Sequence, residues 1–209
     1  GVGNNTLAGG SGNDTIDAYQ GNNTIIFAKG DGNDVVYSGS GEDTVVFDGQ
    51  SVASRDIIFE QSGTDLIIKH DKTGNDYSST VTVTDYFTPG NSVKYIQTSD
   101  GIQNLADVYK FYESNKDKEY VQITSVKGDN SDGEPIPDFD YSALDNSEKF
   151  VNGEFKSFYI DGSNATLKDG YGFYAEAGSA LYDDDIGDAP SFVVVGSDGL
   201  DRIITGDGS

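Results

Sequence analysis

The chain is 209 residues long, holds no cysteine, and sets 36 acidic side chains against 13 basic ones for a formal net charge of −23. Without cysteine there are no disulfides, thiolate metal sites or cysteine nucleophile, and without Lys/Arg clusters nothing offers an electrostatic footprint to nucleic acid or an anionic membrane surface. An apolar fraction of 35% is enough for a core in one large or two small domains, yet so much negative charge opposes compaction unless cations offset it.

The first 47 residues are repetitive. Gly9-Gly10-Ser11-Gly12-Asn13-Asp14-Thr15-Ile16-Asp17 fits the pattern G-G-x-G-x-D-x-U-x, with U a large apolar residue, at every position. The glycines permit sharp turns with carbonyls facing inward, the Asp supplies a hard oxygen ligand, and the apolar residue two places later starts a short strand. Aligning on that apolar position brings Leu7, Ile16, Ile25, Val36 and Val45 into register at nine-residue steps, with Phe27 and Ala28 adding two residues in one step. The Asp position then reads Asn5, Asp14, Asn23, Asp34 and Asp43, and Gly3, Gly12, Gly21, Gly32 and Gly41 hold the fourth position throughout. Asn at 5 and 23 is neutral and a poorer calcium ligand than Asp. One turn cannot bury its own apolar residue, so turns must stack.

This pattern resembles the repeats-in-toxin (RTX) family. The resemblance implies a calcium-bound parallel β-roll over residues 1–47 holding several Ca2+ ions. Its candidate ligands are Asn5, Gly10, Ser11, Gly12, Asp14, Asn23, Gly30, Asp31, Gly32, Asp34, Gly39, Gly41 and Asp43. It also implies export from a Gram-negative bacterium by type I secretion, with folding outside the cell where calcium is plentiful.

Residues 48–119 read as an antiparallel meander with strands from Asp56 to Gln61, Asp65 to His70, Thr80 to Phe87 and Lys94 to Thr98, parted by Ser-Gly and Pro-Gly-Asn turn signals. An amphipathic helix is expected from Ile102 to Glu113. The segment resembles the flank that follows RTX repeat blocks, whose implied role is to cap the open end of the roll.

Residues 120–195 read as strands separated by long acidic loops, an antiparallel β-sandwich-like module. From 128 to 209 there are eighteen acids against four bases. The run Tyr182 to Asp188 either binds calcium through Asp183, Asp185 and Asp188 or is a solvated loop; Asp129 to Glu134 reads as solvated. Aromatic residues crowd nearby, and most belong to a core. Tyr171, Phe173, Tyr174 and Tyr182 beside Asp184 are the candidate ligand-binding residues, since alternation puts Tyr171 and Phe173 on one strand face. Gly196 to Ile204 fits one more repeat, with Asp201 at the metal position and Ile203 inward, so 196–209 reads as the start of a further repeat block in a piece excised from a longer protein.

Catalysis has little support. His70 is the lone histidine and no G-x-S-x-G motif accompanies it, so neither a Ser-His-Asp site nor a histidine-rich zinc site is expected. The chain is therefore expected to be mainly β and not an enzyme. The expected function is that of a calcium-dependent ligand-binding module from an extracellular, cell-surface RTX adhesin, monomeric as a fragment, capturing a peptide or glycan on a host or neighbouring cell. The alternative is a structural, calcium-dependent folding and spacer segment of a secreted RTX toxin or enzyme.

Overall fold

The computed structural model describes residues 2–47, 52–70, 79–152, 154–168, 171–176 and 191–204. The chain divides into two units, Gly1–Ser114 and Asn115–Ser209. The meander and helix thus share a unit with the repeats, and the turn at 196–204 shares one with the acidic region.

In the first unit each repeat contributes one short strand: β1 (Thr6–Ala8), β2 (Thr15–Asp17), β3 (Thr24–Phe27), β4 (Asn33–Tyr37) and β5 (Asp43–Phe47). A nine-residue repeat is one strand and one turn, half a coil, so successive strands fall in opposite sheets. The strands β6 (Ile57–Ser62), β7 (Asp65–His70), β8 (Thr80–Val83), β9 (Val93–Thr98) and β10 (Gly101–Asn104) follow. One sheet runs β1-β3-β5-β9-β10, the other β2-β4-β8-β7-β6. Inward apolar residues stack between them, Leu7 on Ile25 on Val45 and Ile16 on Val36, in parallel register. Ile25, Val36 and Val45 are fully buried. The added Phe27 pairs with Phe47 across β3 and β5, ring centroids 6.1 Å apart.

The flank closes this roll by extending it. Val83 continues the Ile16–Val36 column and Ile96 the Leu7–Ile25–Val45 column, both in parallel register. Only beyond them do the sheets turn antiparallel, at β7 and β6 on one side and β10 on the other. The helix α1 (Leu105–Asn115) starts later than the periodicity predicts. Residues 101–104 pair with β9 instead, and the Asn104 side chain accepts from the backbone N–H groups of Ala106 and Asp107, fixing the first turn. Leu105 and Val108 are buried, and Tyr109 and Tyr112 stand edge-on to Phe59 at 5.8 and 5.4 Å.

The second unit comprises β11 (Glu119–Gln122), β12 (Phe139–Asp140), α2 (Asn146–Lys149), β13 (Phe150–Val151), β14 (Glu154–Phe155), β15 (Phe158–Asp161), β16 (Tyr174–Glu176), β17 (Phe192–Val195) and β18 (Arg202–Ile204). The expected antiparallel sandwich is not what forms here. The sheets β11-β15-β17 and β12-β16-β18 are parallel throughout, and among the described strands of this unit only the hairpin β13–β14 is antiparallel. The chain alternates between the two sheets, as the repeats do. Polarity alternation along a strand reads the same in either pairing, whereas long connections are what parallel neighbours require. Connections of that length separate β11, β15 and β17 in the sequence. Phe139, Tyr141, Phe158, Ile160, Phe173 and Ala175 form the core.

Candidate calcium sites and a cleft in the second unit

The Asp positions of the repeats fall on two opposite edges of the roll. Asn5, Asn23 and Asp43 form one column, Asp14 and Asp34 the other. Along both, the backbone N–H of each metal-position residue donates to the side chain one coil further on: Asn5 to Asn23 Oδ1 at 3.1 Å, Asn23 to Asp43 Oδ1 at 2.8 Å, Asp14 to Asp34 Oδ1 at 2.9 Å.

Close stacking explains the glycines. A Cβ on Gly32 would come within 2.1 Å of the Gly12 carbonyl oxygen, and one on Gly41 within 2.3 Å of that of Gly21. Both residues also have φ above +100°, where L side chains are strained. Gly39, whose φ is ordinary, would meet the Tyr19 carbonyl oxygen at 1.6 Å.

The Asp14–Asp34 edge has the chemistry of a cation site. Asp14 Oδ2 is buried with no hydrogen-bond donor, and it lies where a side chain on Gly9 would stand, 2.6 Å from that residue's Cβ position. Asp34 is 2% exposed. Burial raises its pKa above the usual carboxylate value, against the pull of the Asp14 N–H, and repulsion from Asp14 and Asp31 adds to the rise. The turn backbone is drawn in as well: Gly12 N–H donates to the Asp31 carbonyl at 2.6 Å, and Asp31 Oδ2 accepts from Ala28 N–H at 2.7 Å. Gly10 and Gly30 hold φ of 83° and 84° in matching turns, and Ser11 is exposed in the first of them. Among the described residues no three acidic or histidine side chains converge, so a cation here draws chiefly on a carboxylate and turn carbonyls, the oxygen donor set that calcium favours. The residues therefore fit calcium, which Asp14, Asp34 and the turn carbonyls would hold. Calcium here would supply the positive charge that the buried Asp34 carboxylate and the donorless Asp14 Oδ2 lack.

Residues 1–31 and 30–45 match the sequence model of the RTX calcium-binding nonapeptide repeat (4 copies). The first unit opens with RTX repeats. Such repeats bind calcium ions, several across an array, and RTX repeat proteins are typically secreted. No curated protein matches the chain. Among the described residues no helix is long and apolar enough to cross a membrane.

On the other edge of the RTX array the side chains satisfy one another. Asn23 is 2% and Asp43 0% exposed. Asn23 Nδ2 donates to the carbonyl oxygens of Ala18 at 2.8 Å and Gly21 at 3.2 Å, and to Asp43 Oδ1 at 2.9 Å. Its Oδ1 accepts from Asn5 Nδ2 at 3.1 Å. Asp43 Oδ2 accepts from the hydroxyl of Ser92, and that hydroxyl in turn accepts from Gly39 N–H at 3.0 Å. Sequence reasoning missed Ser92, whose place in this column rests on the coil that β9 adds. The only available signal was the Asn-Ser before a strand that continues an apolar column.

In the second unit Asp201 sits in a turn shaped like that of Asp14: a Cβ on Gly196 would come within 2.1 Å of Asp201 Oδ2, the same first-to-sixth relation as Gly9 and Asp14. Its carboxylate already takes protein donors, Phe173 N–H and Ser197 N–H at 2.9 Å each and the Ser197 hydroxyl at 2.6 Å. Ile203, expected to point inward, is 44% exposed. Asp183, Asp184, Asp185, Asp188 and Tyr182 lie outside the described residues.

Tyr171 and Tyr174 line a cleft of about 200 Å³ together with Asp129, Ile136, Leu200 and Arg202. The Tyr171 hydroxyl donates to Asp129 Oδ2 at 2.8 Å, a bond to a carboxylate that raises its pKa. The Arg202 guanidinium lies 4.8 Å from the Tyr174 ring centroid, and the Tyr174 hydroxyl donates to Glu176 at 2.7 Å. Phe173, expected beside them at a ligand, borders the cleft but is fully buried and belongs to the core.

Proposed function

We propose that this chain is a calcium-dependent ligand-binding segment of an extracellular RTX adhesin. The repeats order and orient the chain, and the second unit captures a peptide or glycan carried by a host or neighbouring cell. The observation that carries this reading is the cleft between Tyr171, Tyr174, Asp129 and Arg202. Its volume suits one amino-acid side chain or one sugar ring. Tyrosine faces stack on such groups, and an arginine fork and a carboxylate fix their polar atoms. Leu200, 92% exposed at the rim, adds apolar contact. Binding proceeds without a catalytic step, without nucleic acid and without insertion into a membrane, by a fragment that stays monomeric. Type I secretion from a Gram-negative bacterium belongs to the same proposal.

A second reading is a structural folding and spacer segment of a secreted toxin or enzyme. It draws on the alternation of the second unit between two parallel sheets, which continues coil building by other means. Retention of the chain on immobilised peptides and on dextran, in calcium and in chelator, separates the two. The adhesin reading expects retention on one of these in calcium that falls at least tenfold with Arg202→Ala. Retention on neither, or retention that Arg202→Ala and Tyr171→Ala leave intact, favours the spacer.

A further inference from the structure

Asn23 and Asp14 occupy the same position in successive RTX repeats, yet their surroundings use that position in opposite ways. At Asn23 the side-chain nitrogen is enclosed by oxygen: two backbone carbonyls and the Asp43 carboxylate, all within 3.2 Å. Rotating the amide by half a turn would set Oδ1 against three acceptors, so these surroundings fix which atom faces them. The nitrogen thus sits among oxygens as a cation would. Asn5 repeats the motif one coil earlier, its Nδ2 donating to the Gly3 carbonyl and to Asn23 Oδ1. The column then ends on Asp43, whose carboxylate takes Asn23 N–H, Asn23 Nδ2 and the Ser92 hydroxyl. Each carboxylate oxygen of Asp43 has a protein donor although the residue is fully buried. At Asp14 the amide donor is missing, and a buried carboxylate oxygen has none.

We propose that the Asn5–Asn23–Asp43 edge of the roll is held together without calcium, the Asn23 amide standing where a cation would stand, so that the calcium of these repeats lies along the Asp14–Asp34 edge alone. The proposal rests on the RTX reading and sharpens it. One edge is a permanent seam; the other opens and closes with calcium. A segment built this way keeps a partly registered roll at low calcium and needs metal only to complete it.

Counting bound calcium on the whole chain by equilibrium dialysis and native mass spectrometry tests this, with Asp14→Asn, Asp43→Asn and Asn23→Asp beside the parent. The expected results are fewer ions with Asp14→Asn, the parent count with Asp43→Asn, and an additional ion with Asn23→Asp. Fewer ions with Asp43→Asn, or an unchanged count in a folded Asn23→Asp chain, overturns the proposal. Should Asn23→Asp not fold in calcium, the Asp43→Asn count decides alone. A parent that binds no calcium instead refutes the RTX reading on which the proposal stands.

Discussion

The side-chain nitrogen of Asn23 lies 2.9 Å from Asp43 Oδ1, one coil along the roll, and joins the two coils through a buried charge-assisted hydrogen bond. Replacing Asn23 by Ala leaves that carboxylate oxygen only the Asn23 backbone N–H and removes the side-chain donor of the Ala18 and Gly21 carbonyls. Leaving buried acceptors unpaired costs on the order of 3 kcal/mol. Denaturant unfolding of Asn23→Ala should show this loss in calcium and in chelator alike, whereas a loss confined to calcium-containing buffer would speak for a metal role.

Gly39 and Gly10 separate steric contact from backbone strain. Gly39→Ala drives a methyl into the Tyr19 carbonyl, 1.6 Å from the ideal Cβ, although its φ suits any residue. Gly10→Ala meets open space but must hold φ near 83°, a strain of about 1 kcal/mol. Gly10→Ala should therefore fold in calcium with a slightly lower midpoint. Gly39→Ala should lose most of the calcium-induced β signal in circular dichroism; equal effects from the two would refute the close-stacking account.

Much of the first unit was legible in the sequence because its constraint is periodic. The apolar residues Leu7, Ile16, Ile25, Val36 and Val45 share one inward position, and a glycine is forced wherever the backbone of one coil touches the next. The same regularity located Asp14 and Asp34. Pairing direction in the second unit was not legible, since β15 reads alike whether β11 and β17 run with it or against it. Nor was the burial of Phe173, because Tyr171 and Phe173 both precede β16, which begins at Tyr174, so strand alternation does not say which ring is covered. The hydrogen bonds of Asn23 escaped for a different reason: an amide in an oxygen cage acts as a donor, a role that ligand strength alone does not rank.

Tyr86 reports on the cap of the roll. Its ring meets Phe87 edge-on at 5.0 Å, and burial, with Tyr109 and Asp107 nearby, pushes its pKa up to about 12. A phenol whose folded value lies above its unfolded value of 10.0 contributes stability that is intact below about pH 10 and is lost as pH rises through the folded value. Phenolate absorbance should show several tyrosines lagging behind the exposed ones, Tyr171 among them, with the phase near pH 12 absent in Tyr86→Phe. Simultaneous titration of all tyrosines in the folded chain would contradict the packed cap.

Asp201 is expected to matter without metal. It accepts from Phe173 N–H, Ser197 N–H and the Ser197 hydroxyl, so Asp201→Ala should destabilise the second unit by about 2 kcal/mol even in chelator. Parent-like unfolding of this variant in chelator would show that its donors are satisfied elsewhere.

The central claim is that calcium at the Asp14–Asp34 edge completes the fold of the RTX repeats. Calcium titration followed by circular dichroism and scanning calorimetry, on the parent, Asp14→Ala and Asp34→Ala, tests it most directly. The account predicts that calcium raises the β signal and the unfolding midpoint of the parent, and that either variant loses most of both responses. Equal spectra and midpoints for the parent in calcium and in chelator, or variants that respond as fully as the parent, would contradict it.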